Sequence, residues 1–239
     1  MATGEIITSA GPIPAGAAKV DSHACKPTFC MREAELMHRK RVKNNMKISC
    51  VIPTVPGKRV VELAKIVAYV TPFFDEVIVQ PDTGSSIYTR FEGIIRARND
   101  VIYTQDDDCL VVNIKDLIGQ YAAGIITANA KADRLRYYQR LCDNKIALIG
   151  YGAVFDKNLI DKMAAVRLWL GDDVLFNVTA DRVFTWLNEK KYICHEKSIQ
   201  DFPAAMRGIS NAAGHQKALV EIVNKLKEYD SHGTATARK

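Results

Sequence analysis

The chain has 239 residues, of which 48% are hydrophobic and 25% charged, and its net charge is +6. These values are typical of one globular domain with a substantial core, and no stretch reaches the roughly 18 uninterrupted apolar residues of a membrane span. The start of the chain lacks the basic and apolar regions of a signal peptide, and the six cysteines have no framework spacing. We therefore expect reduced thiols and a cytoplasmic protein.

The first 45 residues differ in composition from the rest. Residues 1–27 are rich in Ala, Gly, Pro and Thr and are predicted to be extended, whereas residues 28–44 could form a basic amphipathic helix. We expect a compact domain over residues 46–229 and a polar tail over residues 230–239. Basic residues are in excess at both ends of the chain, which suits polyanion contacts or plain solubility equally well.

The N-terminal arm also contains two histidines and two cysteines. Their spacing matches no strong zinc-binding pattern, so a zinc site is a minor alternative. The four residues are His23, Cys25, Cys30 and His38.

Predicted strands and helices alternate along the domain. Hydrophobic runs predict strands at residues 48–52, 76–79, 101–104, 125–128 and 145–149. Helical periodicity or turn signals predict helices at residues 59–70, 90–98, 116–123, 172–188 and 215–229. The alternation indicates an α/β fold with a mostly parallel, Rossmann-type sheet flanked by helices. Neither the Gly-x-Gly-x-x-Gly fingerprint nor a P-loop is present, which argues against dinucleotide oxidoreductases and P-loop NTPases.

Three consecutive aspartates follow the third predicted strand. Asp106, Asp107 and Asp108 are expected at its carboxyl end, where open α/β sheets bind ligands. On an extended backbone Asp106 and Asp108 point the same way, and two such carboxylates repel each other and raise a pKa. A divalent cation that takes oxygen ligands together with a nucleotide diphosphate would relieve the repulsion. The alternative is an acidic turn that caps the next helix.

Four motifs together resemble a glycosyltransferase of the GT-A fold, nearest to the family-2 and exostosin-like group, which includes enzymes encoded by phages. The resemblance covers roughly residues 46–220. The motifs are Ile48-Ser-Cys-Val-Ile-Pro-Thr54, Gln80-Pro-Asp82, Thr104-Gln-Asp-Asp-Asp108 and Gly171-Asp-Asp-Val-Leu-Phe-Asn177.

The resemblance implies a nucleotide-sugar donor, with a UDP-sugar expected. Pro53, Thr54 and Asp82 would cradle the nucleotide base, although Asp82 could equally cap a turn. The aspartate run corresponds to the DxD motif of the family, in which Asp108 would bind Mn²⁺ or Mg²⁺ directly. Asp106 would approach the ribose or the metal through water, and Asp107 would lie beside the donor.

Other donor contacts come from the neighbouring helix and from a glycine pair. Arg90 and Arg98 could contact the diphosphate, since a guanidinium offers paired donors to phosphate, and Arg96 is a third candidate. All three could instead be solvated. Gly152, in Gly150-Tyr-Gly-Ala153, could let a sugar approach the backbone, or simply form a tight turn.

The resemblance also implies a histidine that completes the metal ligands near the C-terminus. His215 lies in a small-residue segment before the last helix and is the predicted ligand, with His195 as a competitor. The alternative is a surface residue at a helix start.

The proton acceptor is expected among acids of the 172–188 helix. By resemblance a carboxylate there deprotonates the acceptor hydroxyl, and Asp173 is preferred, with Asp181 second. Acids at a helix start also stabilise the helix dipole, and the family normally has Glu-Asp where this chain has Asp-Asp.

The sequence therefore predicts a metal-dependent hexosyltransferase that uses a nucleotide-diphosphate sugar. A hydroxylated base in phage DNA is one hypothesis for the acceptor, since the basic ends could hold a duplex. The alternatives are a nucleic-acid-binding protein without catalysis and a sugar-nucleotide pyrophosphorylase. The pyrophosphorylase needs a glycine-rich loop after the first strand, and residues 55–59 have one glycine.

Overall fold

A computed structural model describes residues 46–84, 86–130, 147–193, 199–202 and 214–236. The predicted N-terminal arm, its helix and the four zinc candidates lie outside these residues, as do His195 and most of the small-residue segment before His215. None of the described helices is long and apolar enough to span a membrane.

Eight strands form two sheets in the described part of the chain. The strands are β1 (Ile48–Thr54), β2 (Glu76–Pro81), β3 (Val101–Thr104), β4 (Cys109–Val111), β5 (Ile126–Asn129), β6 (Ala153–Asp156), β7 (Lys190–Ile193) and β8 (Ile199–Asp201). Six of them form the main sheet in the order β2-β1-β3-β6-β5-β7, and β4 pairs with β8 in a small antiparallel ribbon.

Six α-helices within the described residues connect and cover the strands. They are α1 (Val60–Val70), α2 (Thr89–Arg96), α3 (Ile114–Gly119), α4 (Lys162–Leu170), α5 (Asp173–Leu187) and α6 (His215–Thr236). Short 3-10 turns at Ser86–Tyr88 and Ile149–Tyr151 precede α2 and β6. The helix α6 packs along α5, and the indole N–H of Trp186 donates to the Asp230 carboxylate at 3.1 Å.

The main sheet is mostly parallel, as predicted. Strand β1 pairs in parallel with β2 on one side and β3 on the other, and β5 pairs in parallel with β7. Strand β6 alone runs against its neighbours β3 and β5. The carboxyl ends of β1, β2 and β3 consequently meet at one edge of the sheet.

The sheet is covered by apolar side chains on both faces. In β1, Val51 belongs to the cluster under α5 and α6, whereas Cys50 and Ile52 belong to the cluster under α1 and α3. The same alternation places Ile102 on the first face and Tyr103 on the second. Burial on both faces explains why β1 reads as a continuous apolar run rather than an alternating one.

Several predicted bounds differ from the structure. Residues 149–151 form a 3-10 turn instead of the end of a strand, and the strand follows at Ala153–Asp156. The reason is Gly152, whose φ of +92° interrupts the extended backbone. β1 continues through Pro53 to Thr54 because Pro53 lies near the strand end, where the missing N–H costs little. The helix α4 and strands β4, β7 and β8 were not predicted.

Candidate functional site

The aspartate run lies where the sequence predicted it, just beyond the end of β3. Gln105 anchors this turn inside the protein: its side chain accepts from the Tyr103 hydroxyl at 2.8 Å and donates to the Cys109 carbonyl at 3.0 Å. The backbone N–H of Asp106 donates to the Gly150 carbonyl at 2.8 Å. These hydrogen bonds fix the buried side of the turn, and the three carboxylates line one cleft.

Asp107 connects the turn to the end of β1. It is 4% exposed, its carboxylate accepts from the Thr54 hydroxyl at 2.7 Å, and it forms an ion pair with the Arg59 guanidinium. Arg59 also approaches Asp108, with 3.9 Å between the charged atoms. Arg59 is a non-glycine residue in the left-handed region, at φ +53°, directly before α1. Its ion pairs offset that backbone strain.

Arg90 of α2 joins Asp106 to Asp181 of α5. Its side chain is 4% exposed, and it donates to the Asp106 carboxylate, to the Thr104 hydroxyl at 2.8 Å and to Asp181 at 3.2 Å. Burial alone would lower the pKa of Arg90, but Asp181 and Asp106 hold it above its usual range. A buried cation thus links the carboxyl end of β3 to the helix across the cleft.

Asp108 has the most perturbed carboxylate of the run. Burial and the negative charge of Asp106 raise its pKa from 3.8 to about 6, although Arg59 opposes the shift. Four carboxylates (Asp106, Asp107, Asp108 and Asp181) and two guanidiniums (Arg59 and Arg90) meet at this end of the cleft. Lys58 also lines the cleft, and the close approach of these carboxylates favours a cation ligand.

The fit to a divalent metal is nevertheless partial. Within the described residues, no three His, Cys, Asp or Glu side chains come together so that they could hold a metal ion. The predicted ligand set of Asp106, Asp108 and His215 is therefore not assembled. Two carboxylates can still hold Mg²⁺ or Mn²⁺ when substrate phosphates and waters supply the remaining ligands.

The carboxylate of Asp82 caps a turn, which the sequence allowed as the alternative to a contact with the nucleotide base. One carboxylate oxygen accepts from the backbone N–H groups of Gly84 and Ser86, at 2.9 and 3.0 Å, and from the Thr89 hydroxyl at 2.8 Å. The residue also lines the cleft beside Pro53 and Thr54. Its bonds shape the loop between β2 and α2, and with it the wall of the cleft.

Two glycines near the cleft face protein atoms. A Cβ on Gly150 would lie 2.1 Å from an Asp106 carboxylate oxygen, so this position requires glycine for Asp106 to pack against it. A Cβ on Gly152 would meet Val111 and Leu117 at 3.0 and 3.1 Å. Gly152 therefore faces the core and not a sugar, which corrects the expectation from sequence.

Two predicted site residues lie away from the cleft. Arg98 precedes β3 and pairs with Glu76 at the amino end of β2, so it is at the sheet edge opposite the aspartates. Asp173, at the start of α5, has a side chain that is 70% exposed and pairs with Arg167 at 2.7 Å. Arg96, the third arginine of the α2 region, is also outside the cleft lining. Asp181, two turns along α5, is the acid that the helix brings into the cleft.

Arg182 of α5 and His215, the first residue of α6, also line the cleft, as do Leu148 and Val178. Burial and the neighbouring Arg182 lower the pKa of His215. The whole cleft encloses about 240 Å³.

Sequence reasoning missed Arg59 and Arg182 as site residues. In the sequence, Arg59 belongs to a loop that contains too few glycines for the phosphate-binding loop of a pyrophosphorylase. Its signal was its position right after the first strand, whose carboxyl end belongs to the ligand-binding edge. Arg182 had no comparable signal, because helical periodicity does not show which polar residue of a buried helix faces a cavity.

The fold resembles that of known enzymes. No protein-family model matches the sequence, and no curated protein matches it. The structure is similar to mannosyl-3-phosphoglycerate synthase from Rubrobacter xylanophilus, with a TM-score of 0.50 and 10% identity over 83% of this chain and 79% of that chain. A second similar structure is 4-diphosphocytidyl-2C-methyl-D-erythritolsynthase from Anaerococcus prevotii, with a TM-score of 0.39 and 15% identity over 77% of this chain and 100% of that chain. The first similarity establishes a GT-A-like fold, and the second is too slight to carry a conclusion.

Proposed function

We propose that the protein is a metal-dependent glycosyltransferase that moves a sugar from a nucleotide-diphosphate donor, a UDP-sugar in our expectation, to an acceptor hydroxyl. The observation that carries the proposal is the acidic turn after β3. Its three adjacent carboxylates and Asp181 of α5 line one cleft, together with Arg59 of the loop before α1 and Arg90 of α2, at the carboxyl ends of the parallel strands of a GT-A-like sheet. Adjacent carboxylates suit a dication with a diphosphate.

Asp106 and Asp108 are the residues that would hold the cation. The chemistry that Mn²⁺ or Mg²⁺ supplies when bound is stabilisation of the negative charge on the departing nucleoside diphosphate. Arg59 lies next to Asp108 and is placed to donate to a phosphate oxygen. The ion pair with the buried guanidinium of Arg90 fixes the orientation of the Asp106 carboxylate.

The nucleotide would occupy the part of the cleft at the end of β1. Pro53 and Thr54 form its floor, and the capped loop at Asp82 forms its wall. The hydroxyl of Thr54 is already bound to Asp107. We therefore assign Thr54 a role in orienting the acidic turn, with its backbone beside the base.

Asp181 is the proposed proton acceptor. Its pKa is raised by burial and by Asp106 and lowered by Arg90, with the increase prevailing. A raised pKa favours proton transfer near neutral pH. In the proposed step the acceptor oxygen forms a bond to the anomeric carbon of the sugar, and the bond from that carbon to the diphosphate oxygen breaks. The electron pair leaves with the diphosphate, and the hydroxyl proton passes to Asp181.

Binding and product analysis test the proposal. The wild-type protein is titrated with a panel of nucleotide sugars with and without Mn²⁺, and products are identified by mass spectrometry. We expect metal-dependent donor binding and release of a nucleoside diphosphate. Release of inorganic pyrophosphate from a nucleoside triphosphate would instead identify a pyrophosphorylase. Nucleotide binding of the same affinity with and without Mn²⁺ would overturn the proposal.

A hydroxylated DNA base as the acceptor stays a prediction from sequence. It rests on the basic ends of the chain, and residues 1–45 lie outside the described structure. Removal of residues 1–45 tests it.

A further inference from the structure

One buried hydroxyl at the end of β3 has no role in the function proposed above. It belongs to Thr104, the last residue of β3, and this strand lies between β1 and β6 in the main sheet. We propose that Thr104 is a positioning residue for the proton acceptor: through Arg90 it fixes the carboxylate of Asp181 relative to the acidic turn. The inference rests on the proposed function and deepens it, because it names what holds the base in place.

The Thr104 hydroxyl is oriented by the sheet. It donates to the Val51 carbonyl of β1 at 2.8 Å, so its lone pairs remain for a separate donor. That donor is Nη1 of Arg90, also at 2.8 Å. Val51 and Thr104 are register partners in the parallel pair of β1 and β3. The hydroxyl therefore anchors the guanidinium to two strands of the main sheet, and a valine side chain of nearly the same volume could not.

Arg90 extends this anchor to Asp181 of α5. Its Nε atom donates to one carboxylate oxygen of Asp181 at 3.2 Å, and its Nη2 atom donates to the other at 3.4 Å, which is a side-on bidentate arrangement. The same Nη2 atom donates to Asp106 of the acidic turn. One planar, rigid group therefore sets where the proposed base lies relative to a predicted cation ligand.

The pairing with Arg90 leaves Asp181 able to accept a proton. The Asp181 side chain is 18% exposed, whereas that of Arg90 is 4% exposed, so the guanidinium covers the inner side of the carboxylate and the cleft lies on its outer side. An ionised carboxylate has about four lone-pair sites, and the two hydrogen bonds from Arg90 leave the others for an acceptor hydroxyl.

The placement of a general base affects catalysis more than it affects donor binding. A carboxylate that rotates about its side-chain torsions spends part of its time out of reach of the acceptor hydroxyl, and a misplacement of about 1 Å can cost up to about 100-fold in rate. A buried ion pair is by itself a weak source of stability. We therefore expect the connection from Thr104 through Arg90 to Asp181 to act mainly on kcat.

A double-mutant cycle on kcat tests the assignment. Thr104→Val removes the hydroxyl at nearly constant volume and is made alone and together with Asp181→Asn. The donor is the nucleotide sugar of the panel above that gives the fastest Mn²⁺-dependent release of nucleoside diphosphate. We expect Thr104→Val to lower kcat about tenfold, and to change the KM for the donor and the Kd of the nucleoside diphosphate with Mn²⁺ by less than about threefold. In the Asp181→Asn background the same change should lower kcat by less than about twofold, because its effect passes through Asp181.

Three further variants serve as controls. Thr104→Ser keeps the hydroxyl and should retain kcat within about twofold. Thr127 is also a buried threonine of the main sheet, its hydroxyl donates to the Gln120 carbonyl at 3.3 Å, and it does not line the cleft. Thr127→Val should therefore change neither kcat nor Kd. Arg90→Lys keeps the charge but loses the planar fork, so it should reproduce the loss of kcat and its dependence on Asp181 if Thr104→Val does not fold. Calorimetric melting temperatures establish that each variant is folded in the assay.

The outcomes separate this inference from the proposed function. An equal loss of kcat on Thr104→Val with and without Asp181 would show that the hydroxyl supports the cleft in general, and it would overturn the inference. A Kd that weakens as much as kcat falls would place the role in cation binding and overturn it too. In both cases the wild-type enzyme remains an active transferase. Absence of Mn²⁺-dependent release of nucleoside diphosphate by the wild type would overturn the proposed function, and the inference with it.

Discussion

At the scale of single residues, the acidic turn shows how neighbours of one type take different environments. Asp107 is buried against Thr54 and Arg59, Asp106 is paired with Arg90, and Asp108 is the most repelled. The sequence placed all three correctly at the end of β3. It did not identify their partners, because these lie 16 to 53 positions away in the sequence.

Neutralising Asp108 should stabilise the metal-free protein. Its carboxylate is repelled by Asp106, and burial disfavours its charge, so Asp108→Asn removes an unfavourable charge at pH 7. We expect the melting temperature in EDTA to rise by about 2 to 4 °C, which corresponds to about 1 kcal/mol in a domain of this size. Differential scanning calorimetry measures it, and the same variant should lose Mn²⁺-dependent nucleotide binding.

Asp106→Asn is the matched comparison. It takes a charged partner from the buried guanidinium of Arg90 and should lower the melting temperature. Equal shifts in the same direction for both variants would contradict the distinct environments.

Replacement of the two candidate bases should separate them. Asp181 lies in the cleft with a raised pKa, whereas Asp173 is exposed and paired with Arg167. Asp181→Asn should lower kcat by about 100-fold or more, in the range of a lost general base. Asp173→Asn should change kcat by less than about threefold, and steady-state kinetics with the identified donor gives both values. A larger loss for Asp173→Asn would restore the first choice made from the sequence.

At the scale of elements, Glu76 ties three strands together at the edge opposite the cleft. Its carboxylate accepts from the Ser49 hydroxyl at 2.6 Å and from the backbone and side chain of Arg98, each at 2.8 Å. Ser49 belongs to β1, Glu76 begins β2, and Arg98 precedes β3. This network explains why Arg98 serves the fold instead of a diphosphate.

The contribution of Glu76 should depend on pH. Burial raises its pKa, but the hydrogen bonds from Ser49 and Arg98 prevail and hold it below the usual 4.5. A depressed pKa contributes stability above the unfolded value of 4.5, and that contribution is lost as pH falls through the folded value. Glu76→Gln should therefore destabilise the protein at pH 7 by about 1 kcal/mol, since Arg98 is largely exposed.

Urea denaturation at several pH values measures the effect. The difference between Glu76→Gln and the wild type should shrink below about pH 4.5. Glu221→Gln, an exposed site on α6, is the control. A difference that is constant from pH 7 to pH 3 would show that the charge of Glu76 does not matter.

At the scale of the whole molecule, residues from Met46 onward account for both apolar clusters that the structure describes. Among the described residues, β2 and β7 form the edges of the main sheet. We expect the basic arm to contribute to the binding of partners.

Removal of residues 1–45 should leave the rest of the chain folded. We expect the melting temperature to change by less than about 2 °C and nucleotide binding to be retained. If DNA is the acceptor, the truncated protein should bind a duplex more weakly, with a smaller dependence on salt, because fewer phosphates are neutralised. Titrations at two salt concentrations measure this, and unchanged DNA affinity would count against the DNA hypothesis.

The alternation of strands and helices over residues 48–104 and the position of the acidic turn followed from the sequence alone. Short, mostly apolar runs such as 48–52 predict buried strands, and their alternation with helices allows few topologies. The antiparallel β6 and the four unpredicted elements were decided by tertiary structure. Their segments are short, and their partners are distant in sequence.

For the cleft, too, the sequence predicted one part and the tertiary structure decided the other. Its acids were visible because they interrupt an apolar run, which is a local signal. Its cations were harder to predict: Arg90 was a candidate together with Arg96 and Arg98, which lie outside the cleft, and Arg59 and Arg182 were missed. These arginines are distinguished from the others only by what lies within a few ångströms of each guanidinium. Local pattern identifies where a strand ends, but only packing brings the end of β3, the loop before α1 and the face of α5 together around one cavity.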